Sequence, residues 1–489
     1  MVRVRLAPSP TGNLHIGTAR TALFNWLFAK KHGGEFILRI EDTDLERSDK
    51  KYEEDIVNGL KWLGLGWNPV KSRSDHGASK EIIRQSERLD IYAEYIKKLL
   101  DSGKVFWCNH SKEELEAEQK EQSARKEAPR HICGHKNKKL EKGQIIRLSV
   151  NTDSKDKISF NDAVRGNIEW EEGLLGDFSL AKDLKVPLYN FAVVVDDIDM
   201  QISHVIRGED HISNTPKQLL IYKALGVEPP IFAHMPLTLG PDRSKLSKRH
   251  GAVSIIEYKK DYLPEVMLNF MGFLGYTYSK DIISIDEMVK EFELEKVHKS
   301  GAIFDIKKLN WINSNYIRSL DIEKLRNLVG IEEIPGNALS LITERLEKLT
   351  DVQNFDYFWK DPSFATPFVK TSEVQKATEG KAGYTPIELL KWKKFSLEDS
   401  KKSLEKVKEV ISSHDFKNKD ELRNKLDELA KEIGDPVKSP DGDHGASRGL
   451  VYWPLRVALT GRNKSPDPVD IAYVLGKEKT LERINSAIK

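Results

Sequence analysis

Cysteine is nearly absent from this chain, since Cys108 and Cys133 are the only two among 489 residues. So few cysteines exclude a fold that depends on a disulfide framework. Long apolar runs are missing as well: the longest lies around Phe191–Val195, whereas a membrane span needs about 18 apolar residues. The first ten residues, MVRVRLAPSP, also lack the apolar region of a secretory signal. We therefore expect no membrane partner, a folded domain that starts at the N-terminus, and a cytoplasmic location.

A strong net charge is missing too, because 78 basic and 76 acidic residues leave a balance of +2. This balance neither requires nor excludes a nucleic-acid partner, since a large protein can collect Lys and Arg on one face. What the chain does contain is 39% hydrophobic and 31% charged residues, a composition typical of globular proteins. Its length predicts about two to five structural units.

The first third of the chain alternates strand-like and helix-like patterns. Val2–Leu6 has period two, Thr18–Lys31 has helical apolar spacing that ends at two glycines, Glu35–Ile40 is strand-like, and Tyr52–Leu63 is helical. This order predicts an α/β unit that contains a parallel sheet.

A segment of different character interrupts this pattern between residues 99 and 186. It contains a highly charged stretch, a Cys/His cluster and short alternating runs, which predict an α+β insertion. The α/β domain then comprises residues 1–98 and 187–255. Its sheet pattern is predicted to resume in Leu188–Val195, Ile202–Ile206 and Ile231–Leu239, with a helix at Thr215–Ala224.

The last third of the chain, residues 321–489, is predicted to be mostly helical. Two Lys/Glu-rich stretches keep apolar residues at helical spacing. These residues are Leu404, Val407 and Ile411 in the first stretch, and Leu422, Leu426, Leu429 and Ile433 in the second.

The segment Ala7–Thr18 reads APSPTGNLHIGT. It has the pattern of a strand end, a tight turn and a helix N-terminus, where unpaired N–H groups and the helix dipole favour phosphate. Gly17 allows a close approach of the backbone to a ligand, and His15 can donate to a phosphate oxygen. A His and a Gly at a helix start also occur often by chance, so this pattern alone is weak.

A second basic motif, KLSKR, occupies Lys245–Arg249 in a loop flanked by Gly and Pro. Alone it is more typical of a solvated basic loop. However, it follows the first motif after about 230 residues, with a sheet pattern between the two. The two motifs in this order favour a functional loop over a chance match. The pair resembles the HIGH and KMSKS motifs of class I aminoacyl-tRNA synthetases. The form of the first motif, Arg5 followed by APSPTG and HIG, resembles that of glutamyl-tRNA synthetases.

Five further segments resemble the same family. They are RIEDTDLERS (Arg39–Ser48), YNFAVVVDD (Tyr189–Asp197), HVIRGEDH (His204–His211), FDIKKLNWINSNYI (Phe304–Ile317) and WPLRVALTG (Trp453–Gly461). Each alone fits an ordinary core element, and together they identify the family.

The resemblance implies both an architecture and a reaction. The architecture is an α/β fold: a Rossmann-type catalytic domain split by an acceptor-binding insertion (99–186), then a stem-contact region (256–320) and an all-α anticodon-binding region (321–489), which we predict to contain one or two subdomains. The reaction is the ATP-dependent ligation of L-glutamate to tRNA(Glu), through glutamyl-adenylate and then transfer to the 3′-terminal adenosine. A monomer is the usual form of the family. The resemblance also implies that activation depends on tRNA.

By the same resemblance, His15, Gly17, Lys245, Ser247 and Lys248 bind ATP together with Mg²⁺. His15, Gly17, Lys245 and Lys248 are also the predicted catalytic residues. The chemistry agrees, because adenylate formation needs alignment and neutralisation of the charge that grows on the phosphates.

The predicted glutamate pocket consists of Arg5, Ser9, Glu41, Tyr189 and Arg207. The arginines would bind the carboxylates through charge-assisted hydrogen bonds, and Glu41 would bind the ammonium group. Ser9 and Tyr189 would complete the pocket. Without the resemblance, Arg5 fits an exposed strand residue and Glu41 a surface carboxylate.

The Cys/His cluster predicts a structural zinc site. Cys108 with His110, and Cys133 with His135, form two C-x-H pairs that supply four ligands of the types zinc prefers, and His131 is a spare candidate. Some bacterial glutamyl-tRNA synthetases have a similar site in the pattern C-x-C…C-x-H, from which His110 departs. The alternative is a zinc-free loop with two free thiols.

Three other functions stay open at this point. A glutaminyl-tRNA synthetase shares the motifs but has a β-barrel anticodon region, and a related nucleotidyltransferase would need neither the insertion nor the helical tail. A non-catalytic RNA-binding protein would not need the lysines and His15. For tRNA, the basic residues of Lys112–Lys142 are candidates for contact with the acceptor stem, although a solvated charged helix explains them equally well.

Overall fold

The computed structural model describes residues 1–71, 79–138, 142–246, 254–362, 364, 386–393, 395–433 and 444–489. The chain divides into two compact units, Met1–Ile312 and Asn313–Lys489. Ser247 and Lys248, which we predict to bind ATP, lie outside the described residues.

All strands of the described chain lie in the first unit. They are β1 (Arg3–Leu6), β2 (Glu35–Ile40), β3 (Val70–Lys71), β4 (Ser79–Lys80), β5 (Ile82–Arg84), β6 (Val105–Cys108), β7 (Ile145–Leu148), β8 (Lys157–Asp162), β9 (Gly166–Glu171), β10 (Ser179–Asp183), β11 (Val186–Pro187), β12 (His204–Gly208), β13 (Ile231–Met235), β14 (Thr238–Leu239) and β15 (Ala302–Ile303).

The α-helices alternate with these strands and then replace them. In the first unit they are α1 (Ile16–Lys31), α2 (Lys50–Trp62), α3 (Leu89–Asp101), α4 (Lys112–Ala124), α5 (Tyr189–Asp199), α6 (Thr215–Leu225), α7 (Pro264–Gly272), α8 (Ile285–Glu291) and α9 (Ile306–Ser319), which runs past the division. The second unit contains α10 (Ile322–Val329), α11 (Gly336–Ile342), α12 (Pro386–Leu389), α13 (Leu397–Ser413), α14 (Lys419–Ile433), α15 (His444–Thr460) and α16 (Pro468–Ile488).

The parallel sheet of the first unit is built as its sequence pattern predicts. Strands β1, β2 and β5 pair in parallel in the order β1-β2-β5, and β12 pairs in parallel with β13. The two groups meet where the backbone N–H of Ser203 donates to the carbonyl of Arg3 at 3.0 Å. The carboxyl ends of β1, β2 and β12 therefore face the same edge, where ligands bind in such sheets.

The chain segment between β5 and β12 forms a separate set of strands, called here the α+β insertion. Its four-stranded sheet has the order β11-β10-β7-β6 and is antiparallel, and β8 and β9 form an antiparallel hairpin. This arrangement has the α+β character predicted for residues 99–186. The predicted domain boundaries themselves stay predictions.

One predicted strand is wrong. Leu188–Val195 was expected to continue the sheet, whereas Tyr189–Asp199 forms the helix α5. Seven consecutive residues of this helix, from Phe191 to Asp197, are buried. A helix that is buried on all sides has a continuous apolar run, and periodicity cannot distinguish such a run from a central strand.

The second unit is helical throughout the described part of residues 313–489, as predicted. Leu404, Val407 and Ile411 of α13 are fully buried, which confirms that their spacing marks the inner face of a helix. Within the residues that the structure describes, no helix is both long enough and apolar enough to cross a membrane.

Candidate active site

A cleft of about 420 Å³ opens at the carboxyl edge of the parallel sheet. Its walls come from the ends of β1 and β12, the loop before α1, and the segment that follows β14. Eight of the predicted site residues line it: Arg5, Ser9, His15, Gly17, Glu41, Tyr189, Arg207 and Lys245. The fold therefore brings residues 240 positions apart in the chain to one cavity.

The first motif forms the entrance to helix α1. His15 is its N-cap residue, with extended backbone angles, and the Nδ1 atom of His15 accepts a hydrogen bond from the backbone N–H of Thr18 at 3.4 Å. A Cβ atom on Gly17 would lie 3.2 Å from the imidazole ring, so a side chain here would displace His15. Burial lowers the pKa of His15, and the ammonium group of Lys245 lowers it further. The imidazole is therefore neutral near pH 7 and can still donate one hydrogen bond.

Lys245 lies across the cleft from this helix start. Leu246 donates its backbone N–H to the carbonyl of Thr238 at 3.0 Å, which holds the segment against β14. The Nζ atom of Lys245 lies 3.0 Å from Oδ2 of Asp210, and both side chains are largely exposed. An ammonium group in this position can reach a negatively charged ligand at the mouth of the cleft.

The inner wall of the cleft, which Arg5, Glu41 and Arg207 form, is backed by a buried ion-pair network. Asp197 of α5 accepts from Arg5 at 3.2 and 3.3 Å and from Arg39 at 2.7 Å. Arg39 is fully buried, and it also donates to Glu41 at 3.2 Å. These pairs hold the two arginines in fixed positions, and they keep the pKa of Asp197 low in spite of its burial.

Glu41 lies at the edge of this network and faces the cleft. The residue is only 7% exposed, and burial raises the pKa of Glu41 although Arg39 and Arg5 oppose the shift. A partly compensated carboxylate in this position gains from a cation that arrives with a ligand.

Arg207 differs from Arg5 because it has no acidic partner among the described residues. Its Nε donates to Nε2 of His234 at 3.1 Å, and its Nη2 donates to Oγ1 of Thr215 at 2.8 Å. Its Nη1 is buried and has no hydrogen-bond partner in the described chain. Burial lowers the pKa of Arg207, and the charge of Arg5 contributes. A buried guanidinium with one unused donor is a natural binding site for a carboxylate.

Tyr189 completes this part of the cleft. Its hydroxyl lies 2.9 Å from Nδ1 of His211. Burial, followed by the charge of Arg207, lowers the pKa of His211 to about 4. Burial also raises the pKa of Tyr189 to about 12, so both groups are neutral near pH 7. The contact between them is therefore a hydrogen bond between two uncharged groups.

Sequence reasoning missed the residues that support the cleft rather than line it. Asp196 and Asp197 directly follow the buried apolar run of helix α5, and a pair of acids at the end of such a run was the one available signal. Asp162 and His234, which are both buried, gave no signal.

A separate Cys/His group lies in the α+β insertion, at the end of β6 and in the segment between β6 and β7. Its ligand atoms, which belong to Cys108, His110, His131 and Cys133, all lie within 4.8 Å of one another. The prediction named His135 as the fourth ligand and His131 as the spare. In the structure His135 is outside the group, with its Nδ1 3.6 Å from Sγ of Cys133.

Helix α4 explains why His131 belongs to the group. Glu118 on this helix lies 2.5 Å from Nδ1 of His131, which leaves the Nε2 of His131 3.8 Å from Sγ of Cys108. A carboxylate on the far nitrogen of a histidine is the usual support for a metal-binding imidazole. The separation of Glu118 and His131 along the chain hid this contact from sequence reasoning.

Comparisons with known proteins agree with this geometry. The family model described as "tRNA synthetases class I (E and Q), catalytic domain" matches residues 1–311, and the model of an anticodon binding domain matches residues 287–488. The chain is therefore a class I tRNA synthetase.

Full-length relatives narrow this class. The chain is 40% identical to a glutamate–tRNA ligase of Desulforamulus reducens, over all of both chains, and 42% identical to glutamate–tRNA ligase 1 of Syntrophomonas wolfei, over all of this chain and 96% of the relative. A crystal structure of a glutamate tRNA ligase from Elizabethkingia meningosepticum, in complex with its amino acid, superposes with a TM-score of 0.78 at 32% identity and covers 100% of this chain and 99% of that one. The chain belongs to the glutamate–tRNA ligase family.

Proposed function

We propose that this ligase joins L-glutamate to tRNA(Glu) in two steps, with glutamyl-adenylate as the intermediate. The observation that carries the proposal is the common cleft, in which a cationic amino-acid pocket adjoins a helix N-terminus and an exposed lysine.

In the first step, glutamate would lie against the inner wall. The unused Nη1 of Arg207 and the guanidinium of Arg5 supply donors for carboxylate oxygens, and Glu41 supplies the counter-charge for the ammonium group. Ser9 and Tyr189 would contact the remaining atoms. Glutamine has an amide in place of the side-chain carboxylate and would leave guanidinium charge uncompensated. A mismatch of this kind can lower kcat/KM roughly 10⁴-fold relative to the correct substrate.

The side of the cleft opposite the inner wall is called the outer wall, and it consists of His15, the backbone near Gly17, and Lys245. The ATP molecule would lie there, on His15 and the backbone near Gly17. An oxygen of the α-carboxylate attacks the α-phosphorus, the bond to the β-phosphate oxygen breaks, and pyrophosphate leaves. Lys245 and Lys248 would neutralise charge on the phosphates, and Ser247 would also contact ATP. Mg²⁺ would arrive with ATP and would offset part of the phosphate charge.

In the second step, a ribose hydroxyl of the terminal adenosine of tRNA attacks the activated carbonyl, and AMP leaves. The helical second unit would bind the anticodon, which the match to an anticodon binding domain supports. The monomeric state and the cytoplasmic location stay predictions.

The test is a charging assay with purified protein, ATP, total tRNA, and either labelled glutamate or labelled glutamine. We expect acid-precipitable glutamate and no glutamine. Glutamine charging would assign the enzyme to the glutaminyl group, and no charging would reject the proposal. Transcripts of tRNA(Glu) and tRNA(Gln) then measure whether the second tRNA is also charged.

We infer that the Cys/His group binds a structural zinc ion. Two thiols and two imidazoles within 4.8 Å are a suitable donor set, and the contact between Glu118 and His131 favours His131 over His135 as the fourth ligand.

Metal analysis of matched variants tests this site. His131→Ala is expected to lower the zinc content far more than His135→Ala. The reverse result would restore the assignment made from sequence. Absence of zinc from the unmodified protein would reject the site.

A further inference from the structure

A row of buried polar side chains lies behind Arg207, on the side away from the cleft. It runs from Asp162, at the end of β8, through His234 on β13 to Arg207 on β12. Asp162 and His234 are 1% and 0% exposed. Neither residue lines the cleft, and the proposed reaction does not use them directly.

Asp162 is held as a hydrogen-bond acceptor from several sides. Its Oδ1 accepts from the backbone N–H groups of Val164 and Arg165 at 2.9 and 2.8 Å. Its Oδ2 accepts from the backbone of His234 at 3.0 Å and lies 2.6 Å from Nδ1 of that residue. These hydrogen bonds hold the pKa of Asp162 low although burial opposes the shift. An ionised carboxylate has no proton to give, so Nδ1 of His234 must be the donor.

This donor assigns the tautomer of His234. Burial lowers the pKa of this imidazole, so the ring is neutral and carries one proton, on Nδ1. The other nitrogen, Nε2, is therefore an acceptor. It lies 3.1 Å from Nε of Arg207 and 3.1 Å from Oγ1 of Thr215. The carboxylate thus determines that His234 can accept from Arg207.

The partners of Arg207 are neutral, and this distinguishes it from Arg5. An imidazole nitrogen and a hydroxyl orient the guanidinium without cancelling its charge, whereas Asp197 pairs directly with Arg5. The orientation leaves Nη1 of Arg207 buried beside the cleft, with no hydrogen-bond partner among the described residues. The full charge of Arg207 therefore stays available for a ligand.

The hairpin of β8 and β9 positions the Asp162 carboxylate next to His234. Ala163 in its turn donates to the carbonyl of Phe232 at 2.9 Å, and Nε of Arg165 donates to the carbonyl of His234 at 3.2 Å. Arg165 also pairs with Glu209, just beyond β12. The turn of the hairpin is thus bonded to both sides of the strand pair that carries Arg207.

We propose that Asp162 and His234 are positioning residues for amino-acid selection, because they hold Arg207 with a free, uncompensated donor toward the carboxylate of the substrate. This inference rests on the proposed function, in which Arg207 binds glutamate. It makes recognition of a carboxylate rather than an amide depend on a hairpin outside the parallel sheet.

Steady-state charging kinetics of four variants test the proposal. Asp162→Asn allows the imidazole to take the opposite tautomer, in which Nε2–H faces Arg207, a donor against a donor. His234→Leu removes the acceptor, and His234→Gln restores one. Asn269→Ala is the control, since this buried side chain bonds the backbone of Asp281 and Ile283 in another part of the same unit.

We expect the KM for glutamate to rise about tenfold in Asp162→Asn and in His234→Leu, because a hydrogen bond to a charged group is lost. The KM for ATP should stay within about twofold, and His234→Gln should recover most of the loss. The preference for glutamate over glutamine should fall in the same two variants. In Asn269→Ala, both KM values should stay unchanged even if less of the protein folds.

Arg207→Gln distinguishes the proposed binding of glutamate by Arg207 from the proposed positioning of Arg207 by Asp162 and His234. If this variant raises the KM for glutamate but Asp162→Asn and His234→Leu do not, the positioning role is wrong and the proposed function stands. If Arg207→Gln itself leaves that KM unchanged, the proposed binding role of Arg207 is wrong, and the inference falls with it. Should His234→Leu fail to fold, Asp162→Asn and His234→Gln give the same decision.

Discussion

The two walls of the cleft are built differently. The arginines of the inner wall, Arg5 and Arg207, and Arg39 behind them are nearly or fully buried, and each is held by at least two hydrogen bonds. On the outer wall, Lys245 is 62% exposed, and its one carboxylate partner among the described residues is Asp210. The inner wall suits selection, because its groups are already desolvated and oriented. The outer wall suits a large polyanion that must enter and leave.

This difference separates what each wall contributes to stability and to catalysis. Removal of one partner of a buried ion pair lowers the free energy of unfolding by about 3–5 kcal/mol, whereas an exposed pair contributes only about 0–1 kcal/mol to it. Substitutions on the inner wall should therefore affect folding together with glutamate binding, and those on the outer wall should affect the reaction alone.

The largest effect on stability is expected from Arg39→Ala. This change leaves Asp197 and Glu41 without their common partner in the interior, and it should cost about 3–5 kcal/mol of unfolding free energy. Urea unfolding measures it. Arg47→Ala is the matched control in the same sequence segment, because Arg47 is 77% exposed and, in the part of the chain that the structure describes, pairs only with Asp44. An equal loss in both variants would contradict the distinction between the walls.

The largest effect on the reaction alone is expected from Lys245→Ala. If its ammonium group neutralises phosphate charge as proposed, the loss should lower kcat about 10²-fold. Unfolding free energy should change by less than about 0.5 kcal/mol, because the side chain is exposed. ATP–pyrophosphate exchange in the presence of tRNA measures the rate. A variant with unchanged exchange would remove Lys245 from the mechanism.

The inner wall should also make stability depend on pH through His211. In the folded protein its pKa falls from 6.5 to about 4, so between these values the unfolded chain binds more protons. Stability should therefore decrease as pH falls from 6.5 to 4, by at most about 1.4 kcal/mol per pH unit from this group. Thermal unfolding of His211→Asn should show a shallower decrease.

The exposed residue His298 provides the control for this measurement. His298→Asn should retain the pH dependence of the unmodified protein. If His211→Asn instead shows the same slope as the unmodified protein, the low pKa of His211 is not a property of the folded state.

The smallest effect is expected from Gly17→Ala on the outer wall. The new Cβ would lie 3.2 Å from the ring of His15, and a shift of a few tenths of an ångström should raise the KM for ATP several-fold. Gly66→Ala is the control, since its Cβ would meet no atom of the described residues within 4 Å. Equal KM values for ATP in both variants would show that His15 does not need this close contact.

Sequence patterns predicted much of the fold because they report local periodicity. Helix α1 and strand β2 have the expected bounds within two residues, and the helical second unit was predicted from the apolar spacing in α13 and α14. Helix α5 was mistaken for a strand, since burial on every side removes the period that identifies a helix.

The candidate site was predictable to the extent that its residues belong to contiguous motifs. The eight described residues that were predicted to bind ATP or glutamate share one cleft. The supporting residues were not predicted, because Asp197, His234 and Asp162 act through partners distant in the chain. For the same reason, the contact from Glu118 that distinguishes His131 from His135 was not predicted.

In the proposed function, both walls of the cleft bind one and the same molecule. Binding of a non-hydrolysable glutamyl-adenylate analogue, with a sulfamate in place of the phosphate, tests whether they do. We predict that Arg207→Gln and Lys245→Ala each weaken this binding at least about tenfold, and that the glutaminyl analogue binds the unmodified protein much more weakly. If either substitution leaves the affinity for the glutamyl analogue unchanged, the two walls do not form a single active site.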